Sequence, residues 1–501
     1  MNLFESFHQG FQSSKDKTAL SVPEEGRQVS FGELDLLSAK IANKLTGLGL
    51  EAGERVAVQV DKSVEALALY LAVLRAGAVY LPLNTAYMPD ELSYFVTNAE
   101  PRVVVSRKSQ ADTFTKIKSD SGVDFEFLTL ENNASGTLLD ELSSFDGEFE
   151  TVSRSDDDIA AILYTSGTTG RPKGAMISHG NLLSNAQVLS SQWGWENDDV
   201  LLHALPIFHV HGLFVACNIS FLNTSEMIYL SKFDTQQVLT ELRNATVLMG
   251  VPTFYTRLLN EPDFSSELCC NIRLFISGSA PLLEETFEEF KVRTGHSILE
   301  RYGMTETGMN TSNPLDGMRL PGTVGFPLPG TEVRIVSDEG VALGVEEVGS
   351  LQVRGPNVFK GYWRMPEKTA ADFTGDGFFI TGDLGKIDKN GYVSIVGREK
   401  DLIISGGYNI YPKEVEMVIN ELPGVNETAV FGYKHADFGE GVAVAVIKEK
   451  GMDITDSQIS DYCRDKLAAY KVPRVFIYLD ELPRNTMGKV QKNILREKYG
   501  S

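Results

Sequence analysis

The sequence is poor in cysteine for its length. Four cysteines occur among 501 residues, and their spacing matches neither a zinc site nor a redox CxxC motif. The four are Cys217, Cys269, Cys270 and Cys463. We therefore expect reduced packing residues of a cytosolic protein, and no disulfide framework.

Positive charge is also scarce. Lysine and arginine number 46 against 68 aspartates and glutamates, which leaves a net charge of −22. Such a surface argues against nucleic acid as a partner and against attraction to anionic membranes. If the protein binds anions, it must do so with local groups of hydrogen-bond donors.

Apolar runs are too short to cross a membrane. The run over residues 66–74 stops at Arg75, well below the roughly 20 residues that a spanning helix needs. It is predicted to be a buried helix. The N-terminal residues MNLFESFHQGFQSSKDK contain Glu5 and no long apolar core, so they resemble neither a signal peptide nor a transit peptide. We expect a cytoplasmic protein with no membrane partner.

Ordered, layered structure is predicted for most of the chain. Its 42% hydrophobic and 23% charged residues are typical of a globular protein with a large core. Helix-like and strand-like segments alternate over residues 30–105, which indicates parallel α/β layers. The polar stretch 107–158 is interpreted as a surface connection. Short strands broken by glycine and proline over residues 320–400 predict a β-rich subdomain.

The last hundred residues have a different pattern. Residues 397–401, GREKD, look like a hinge. After them we predict a helix over 412–421, strands over 427–433 and 441–448, a helix over 456–470 and a strand over 475–480. The predicted fold is therefore α/β, with a large N-terminal domain (1–397), a hinge (398–401) and a small α+β C-terminal domain (402–501).

A loop suited to phosphate binding lies near the middle of the chain. Residues 165–174 read TSGTTGRPKG and combine three glycines, four hydroxyls and two cations. Glycine lets backbone N–H groups approach an anion, and hydroxyls add donors. The pattern differs from a Walker loop, because Gly174 and not Ser or Thr follows Lys173. On composition alone, a flexible polar loop remains the alternative.

With the preceding tyrosine, this loop resembles the signature loop of the adenylate-forming enzymes, which include acyl-CoA synthetases, peptide-synthetase adenylation domains and luciferases. Four further motifs follow in that family's order. They are RYGMTET (301–307), TGD (381–383), GREKD (397–401) and PRNTMGKV (483–490). The resemblance spans essentially the whole chain.

The resemblance implies an enzyme that activates a carboxylate with ATP and Mg²⁺ and transfers the acyl group from an adenylate to a thiol. It implies that Tyr302 stacks on adenine, Thr305 contacts the α-phosphate and Glu306 binds Mg²⁺. Asp383 is expected on the ribose. Lys489 is expected to bridge the substrate carboxylate and the α-phosphate. The implied nucleotide-binding residues are Thr165, Ser166, Gly167, Thr168, Thr169, Gly170, Lys173, Gly278, Ser279, Ala280, Tyr302, Gly303, Met304, Asp383 and Arg398.

Family resemblance also implies that the C-terminal domain is mobile. It rotates between the two half-reactions, with Lys400 as the hinge residue. In one orientation it presents Lys489, and in the other Gly406, Gly407 and Tyr408 line the tunnel for the CoA thiol. No carrier-protein segment follows Lys489, so free CoA is the expected acceptor.

Three segments narrow the resemblance to the malonyl-CoA synthetase branch: residues 206–214, 250–259 and 300–314. Malonate brings a second carboxylate into an enclosed pocket, and that charge needs a cation. Arg257 is the candidate, although a structural salt bridge would explain it as well. His209 occupies the acyl-site position, and Met304 and Met309 are expected to shape the wall near the α-carbon, so methylmalonate is a further expected substrate.

Three alternatives stay open. One is an acyl-CoA synthetase for another acid, such as oxalate, acetoacetate or a medium-chain acid. Another is a nucleotide-binding sensor that has lost catalysis. The third is an adenylation protein that loads an amino acid onto a carrier. The oligomeric state is not readable from the sequence.

Overall fold

The computed structural model describes residues 1–165, 172–280, 282, 284–337, 339–398, 403–410, 412–449, 451–483 and 490–500. The α-helices in this part of the chain are α1 Leu3–Ser13, α2 Phe31–Gly47, α3 Val64–Arg75, α4 Pro89–Ala99, α5 Ala111–Ser121, α6 His179–Gln192, α7 Asn218–Leu222, α8 Thr235–Glu241, α9 Pro252–Leu259, α10 Glu284–Thr294, α11 Pro366–Ala371, α12 Pro412–Asn420, α13 Asp456–Lys466 and α14 Lys492–Tyr499.

The strands are β1 Thr18–Val22, β2 Arg27–Ser30, β3 Arg55–Gln59, β4 Val79–Pro82, β5 Val103–Ser106, β6 Glu126–Thr129, β7 Ile159–Thr165, β8 Lys173–Ser178, β9 Val200–His203, β10 Glu226–Tyr229, β11 Val247–Gly250, β12 Leu274–Ser277, β13 Leu299–Met304, β14 Gly308–Ser312, β15 Phe326–Pro327, β16 Glu332–Val336, β17 Gly349–Arg354, β18 Phe379–Ile387, β19 Val393–Arg398, β20 Ile403–Ser405, β21 Tyr408–Ile410, β22 Val425–His435, β23 Gly439–Lys448 and β24 Val475–Tyr478.

Two large, mostly parallel sheets build the first part of the chain. The nine-stranded sheet has the order β15-β14-β13-β12-β11-β9-β10-β1-β2, and the six-stranded sheet has the order β6-β5-β3-β4-β7-β8. Strands β10, β9, β11, β12 and β13 run parallel to one another. Parallel strands need crossover helices on both faces, which is why most of their residues are apolar and buried.

Helix α3 shows how deep this core is. All of its residues are buried, so the apolar run that predicted a buried helix is confirmed. The helix begins at Ser63, whose side chain accepts a hydrogen bond from the backbone N–H of Ala66 and so caps the first turn. None of the helices in the described part of the chain is long and apolar enough to cross a membrane.

A four-stranded antiparallel sheet follows, in the order β16-β17-β18-β19. It corresponds to the β-rich segment expected over 320–400. The C-terminal strands form a separate sheet in which β22 and β23 pair over their whole length and β24 adds in parallel. Helices α12, α13 and α14 accompany it, so the predicted α/β fold class, with a β-rich part and an α+β end, is confirmed.

One sequence expectation is wrong. The polar stretch 107–158 was expected to be a surface connection, but it contains α5 and β6. Strand β6 extends the six-stranded sheet at its edge, next to β5. An edge strand with one exposed face needs few apolar residues, and so it lacks the apolar run that marks a buried strand.

Candidate active site

Loops that follow parallel strands of the nine-stranded sheet meet at one edge. Strands β9, β11, β12 and β13 are parallel, so their carboxyl ends lie together. In open α/β sheets, ligands bind at this edge. The three segments predicted to form the acyl pocket lie at this edge: 206–214 after β9, 250–259 at the end of β11, and 300–314 over β13 and β14. The Gly278–Ala280 turn, predicted to bind the nucleotide, follows β12.

The loops after β9 and β12 meet at two histidines, His209 and His211. The backbone N–H of His211 donates to Nδ1 of His209 over 3.3 Å, and Oγ of Ser279 lies 3.3 Å from Nδ1 of His211. Ser279 itself has a left-handed backbone, with φ of 70°. Nε2 of His211 is buried and has no hydrogen-bond partner among the described residues. It is therefore a buried polar atom that the described residues leave without a partner.

Arg301, at the end of the buried part of β13, is only 4% exposed. Its guanidinium lies against the backbone of Gly278, where an added Cβ would be 2.3 Å from Cζ. Its Nε and Nη2 atoms have no hydrogen-bond partner in the part of the chain that the structure describes. Burial lowers the pKa of Arg301 to about 9. An unpaired buried cation is costly, which indicates a site that an anion completes.

The histidines beside Arg301 are neutral at physiological pH. Burial, and then the charge of Arg301, lower the pKa of His209 to about 4, and the same causes hold the pKa of His211 well below its usual value. A neutral imidazole that accepts at Nδ1 carries its hydrogen on Nε2 and can donate from there. The pocket therefore combines one guanidinium with neutral donors, a set that suits a carboxylate.

The predicted metal ligand Glu306 is held in place by two hydroxyls. Its Oε1 lies 3.2 Å from Oγ1 of Thr165 and 3.2 Å from the hydroxyl of Tyr362. Its side chain is almost fully buried. Thr305 precedes it in the turn after β13. This arrangement brings the end of β7, where the phosphate-binding loop begins, next to the RYGMTET motif.

The predicted adenine and ribose residues also meet. The hydroxyl of Tyr302 donates to Oδ2 of Asp383 over 2.5 Å, which joins β13 to β18. Asp383 is buried, and its backbone N–H donates to Oγ1 of Thr381. The TGD and RYGMTET motifs, 81 residues apart in sequence, therefore lie side by side in the fold.

Lys173, at the other end of the phosphate-binding loop, points toward this cluster. Its ammonium lies 4.0 Å from the ring centroid of Tyr362 and 3.6 Å from Oδ2 of Asp372. Burial lowers its pKa, although Glu306 and Asp372 oppose that shift. Because Lys173 pairs with Thr165 across β7 and β8, the two ends of the loop are neighbours, and the lysine supplies a positive charge close to both.

The turn between the two predicted wall residues, Met304 and Met309, depends on close backbone packing. A Cβ at Gly303 would be 2.1 Å from the carbonyl oxygen of Gly308 and 2.6 Å from the terminal methyl of Met309. Met309 is buried, and its backbone exchanges two hydrogen bonds with the Asn185 side chain. Met304 is partly buried on the same turn.

Arg257 lies elsewhere. It sits in the last turn of α9 and donates from Nη2 and Nε to Asp437 of the C-terminal sheet region, over 3.0 and 3.3 Å. Its side chain is 37% exposed. This is the salt bridge that the sequence left open as the alternative, and the placement does not support Arg257 as the partner of a buried carboxylate. Arg273, too, pairs with a structural acid, Asp199.

The Gly406–Tyr408 turn packs against the large part of the chain. A Cβ at Gly407 would be 3.0 Å from Cγ1 of Val251, just before α9. Next to it is a cavity of about 260 Å³ between α9 and the C-terminal sheet. Its lining includes Arg257, Tyr408, His435, Phe438, Tyr470 and Arg474. The cavity is thus rich in cationic and aromatic side chains.

Several predicted residues lie outside the described residues: Ser166, Gly167, Thr168, Thr169, Gly170, Lys400 and Lys489. The backbone of Arg398 is described as the end of β19, but its side chain is not.

Sequence reasoning missed two residues of this site. Arg301 stands directly before Tyr302 in a recognised motif, and a charged residue in a buried strand pattern was the available signal. Tyr362 is 56 residues from Glu306 in sequence, and no local pattern indicated that its hydroxyl would reach the carboxylate. Only the fold brings those two together.

Together, the parallel sheets, the hydroxyl-held carboxylate and the buried guanidinium define an α/β enzyme that handles anionic substrates. Residues 7–363 match the AMP-binding enzyme family, and residues 414–489 match the AMP-binding enzyme C-terminal domain. The chain belongs to the AMP-binding enzyme family, which confirms the family resemblance seen in the sequence motifs.

Two solved structures are similar over nearly their full length. ATP-bound MatB from Rhodopseudomonas palustris is 53% identical, with a TM-score of 0.79 and coverage of 100% of this chain and 99% of that one. A malonyl-CoA ligase in a ternary product complex with methylmalonyl-CoA and AMP is 35% identical, with a TM-score of 0.81 and coverage of 94% and 97%.

Two sequence relatives carry different names. A malonate–CoA ligase of Arabidopsis thaliana is 34% identical over 99% of this chain and 89% of its own length. A long-chain-fatty-acid–CoA ligase of Bacillus subtilis is also 34% identical, over 96% of this chain and 92% of its own length. Sequence identity to these two relatives therefore does not distinguish malonate from a long-chain fatty acid as the substrate. That distinction depends on the residues of the pocket.

Proposed function

We propose that this protein is an ATP-dependent malonyl-CoA synthetase. Malonate and ATP form malonyl-adenylate and diphosphate, and CoA then displaces AMP to give malonyl-CoA. The observation that carries the choice of acid is the buried, unpaired guanidinium of Arg301 beside the neutral histidines. The similarity to the malonate ligase and to the malonyl-CoA ligase complex supports it.

Arg301 gives a physical reason for choosing a diacid. The distal carboxylate of malonate can accept two parallel hydrogen bonds from the guanidinium fork and neutralise its charge. A fatty acid would put methylene groups there and leave the guanidinium desolvated and unpaired. We assign to Arg301 the role that the sequence suggested for Arg257. His211, with its free Nε2, and His209 are proposed as further donors to the acid.

Nucleotide binding is proposed at the cluster built by Tyr302, Asp383, Thr305 and Glu306. Asp383 would exchange the Tyr302 hydroxyl for a ribose hydroxyl, and the ring of Tyr302 would stack on the base. The turn Gly278–Ala280, the loop 165–170 and Lys173 complete the proposed nucleotide set, with the Arg398 side chain. Positive charge and backbone donors there favour the crowded anions of the adenylation step.

Mg²⁺ fits the residues present. Glu306 offers a hard carboxylate oxygen, which Thr165 and Tyr362 already orient. Among the described residues no group of three or more metal-ligating side chains occurs, so phosphates and water would supply the other ligands, as is usual for Mg²⁺. When bound with ATP, the ion would neutralise charge on the phosphates.

The cavity between α9 and the C-terminal sheet is proposed to hold the nucleotide end of CoA. Nδ1 of His435 accepts from the backbone N–H groups of Asp437 and Phe438, so Nε2 carries the hydrogen and can donate. Arg474 lies 5.2 Å from the Phe438 ring centroid. These donors suit phosphates, and Gly406, Gly407 and Tyr408 would guide the pantetheine arm toward the adenylate.

The remaining assignments belong to the same proposal. Lys489 would bridge the carboxylate and the α-phosphate, and Lys400 would act as the hinge between a domain of residues 1–397 and a mobile domain of residues 402–501. A cytoplasmic location is also part of the proposal. Met304 and Met309 would line the α-carbon, where one extra methyl changes binding by only about 1–3 kcal/mol, so methylmalonate should be used as well.

The decisive experiment compares two arginines. Diphosphate release is measured with malonate, methylmalonate, acetate and octanoate for wild type, Arg301→Met and Arg257→Met. We expect kcat/KM for malonate to fall about 100-fold or more in R301M, because a buried charge pair is lost. R257M should keep the wild-type ranking of the acids and change only the dependence on CoA. Octanoate activity above malonate activity in wild type would refute the proposed acid.

The CoA site has its own test. Pantetheine has the same thiol arm as CoA but lacks the nucleotide. Arg474→Met should raise KM for CoA about tenfold or more and leave KM for pantetheine unchanged, since the lost donor faces the phosphates. An equal effect on both thiols would place Arg474 outside the CoA site.

A further inference from the structure

A second buried cation, Lys471, connects the C-terminal part of the chain to the large part. Its ammonium lies 2.6 Å from Oε1 of Glu414 and 2.8 Å from Oε1 of Glu91. Glu414 belongs to α12 in the same C-terminal part, whereas Glu91 lies in the first turn of α4 in the large part. All three side chains are at least 90% buried.

The surroundings of this triad contain further polar and aromatic groups. The rings of Tyr87 and Tyr470 lie 5.2 and 5.8 Å from the ammonium. Oε2 of Glu91 accepts from the backbone N–H of Met88 and completes the cap of α4. Oε2 of Glu414 is buried and has no partner among the described residues.

The triad links the two parts through Glu91. Burial works against the ammonium, but Glu414, Tyr470 and Glu91 outweigh it and hold the pKa of Lys471 well above its usual value. If the two parts separated, the Lys471–Glu414 pair would remain intact, and only the bond to Glu91 would be lost. Glu91 is thus the residue that converts a pair within one part into a bridge between both.

This bridge adjoins the proposed CoA-binding turn. Tyr470, next to Lys471, stacks on Tyr408 with ring centroids 4.4 Å apart and an interplanar angle of 20°. The hydroxyl of Tyr470 also lies 3.5 Å from Nδ2 of Asn84, in the large part. The triad and the turn at Gly406–Tyr408 therefore belong to one contact surface.

We propose that Lys471 and Glu91 are a positioning pair, which holds the C-terminal part in the arrangement where the Gly406–Tyr408 turn faces the acyl pocket. This rests on the proposed function, because it assigns the pair to the thioester-forming half-reaction and not to adenylation. Neither residue touches a substrate. Their contribution is to the population of one domain arrangement.

A matched control stands next to Glu91. Asp90, in the same turn of α4, pairs with Lys466 of the C-terminal part, but at 3.4 Å and with 68% of its side chain exposed. Exposed ion pairs contribute little to stability. Removing one partner of a buried pair, in contrast, destabilises the protein strongly, because the other charge stays buried without compensation. Glu91→Gln and Asp90→Asn thus remove one charge each from neighbouring positions and differ in burial.

The first test separates the half-reactions. Adenylation is followed by ATP–diphosphate exchange with malonate, and thioester formation by single turnover of preformed adenylate with CoA. E91Q should slow thioester formation about tenfold or more and leave exchange unchanged or faster, whereas D90N should match wild type within about twofold in both. Equal loss of both half-reactions in E91Q would overturn the proposal.

The second test needs no substrate and so stays valid if the proposed function fails. Arg257 and Asp437 touch across the same surface through the full length of the arginine side chain, so cysteines at both positions report the arrangement through the rate at which a short bismaleimide links them. In a Cys270→Ser background, R257C/D437C should cross-link about tenfold more slowly when E91Q or Lys471→Met is added, and at an unchanged rate with D90N. An unchanged rate with E91Q would refute the positioning role.

Discussion

Two buried cations, in two regions of the molecule, have opposite surroundings. Arg301 in the proposed acyl pocket is 4% exposed, and two of its guanidinium nitrogens have no partner among the described residues; burial lowers its pKa to about 9. Lys471 at the contact between the two parts is 3% exposed and lies between two carboxylates, which raise its pKa. We interpret the compensated charge as part of the contact between the two parts of the chain, and the uncompensated charge as part of the proposed acid site.

The largest expected effect follows from removing the compensated charge. Lys471→Met leaves Glu91 and Glu414 buried without a cation and should lower the free energy of unfolding by about 3–5 kcal/mol. Arg301→Met removes an uncompensated charge and should leave stability unchanged or raise it. Urea denaturation of both variants checks this contrast. If R301M were the less stable variant, the comparison would be reversed.

The free energy of unfolding should depend on pH through His209, which lies beside Arg301. Burial, and then Arg301, lower the pKa of His209 to about 4, whereas a histidine in the unfolded chain titrates near 6.5. The unfolded chain then binds more protons between these values, so stability falls as the pH drops from about 6.5 to about 4, by up to about 3 kcal/mol.

Urea denaturation between pH 4 and 7 measures this effect, and His209→Asn should make the curve less steep without removing its slope, because burial also lowers the pKa of His179, His203 and His211. A histidine variant with the wild-type slope would show that other groups cause the acid sensitivity. The measurement also bears on the comparison, because the low pKa depends in part on the unpaired charge of Arg301.

Binding of malonate should compensate the buried positive charge of Arg301 and so stabilise the folded protein. Malonate at 100 times its dissociation constant should stabilise the wild-type protein by about 2.7 kcal/mol, and acetate by much less. In R301M the difference between the two acids should disappear. Thermal unfolding with each acid is sufficient for this test. Equal stabilisation by malonate in wild type and R301M would remove Arg301 from the acid site.

The smallest effect is expected from the exposed pair at the same interdomain contact. Lys466 lies 3.0 Å from Glu421 and 3.4 Å from Asp90, and both acids are more than half exposed. Lys466→Met should therefore change the free energy of unfolding by about 1 kcal/mol or less. A loss as large as that of K471M would show that burial is not what distinguishes the two lysines.

Local pattern predicted much of the C-terminal part. The helix expected over 412–421 is α12, and the strands expected over 427–433 and 441–448 are the centres of β22 and β23. The helix expected over 456–470 ends earlier, at Lys466. Ala469–Lys471 instead forms a separate 3₁₀ turn, which lets Lys471 reach Glu91. The helix ends where the backbone of Leu467 becomes extended, a change that helical periodicity did not indicate.

Within the candidate site, the residues named from the nucleotide motifs lie together, whereas the arginine named for the acid lies apart from them. Tyr302, Asp383, Thr165 and Glu306 were named from local motifs, and the structure brings them together in two hydrogen-bonded pairs. Arg257 was named because it stands in a segment typical of the acyl pocket, yet its side chain turns to Asp437. A helix position alone does not tell which way the side chain points.

Composition, periodicity and five ordered motifs were enough to predict the α/β fold class and the AMP-binding family, because both depend on local patterns of apolar, glycine and charged residues. Which arginine lacks a partner, and which lysine joins the two parts of the chain, depended on the tertiary structure. Both are decided by carboxylates that are far away in sequence, and the energy of a buried charge depends on what surrounds it in space.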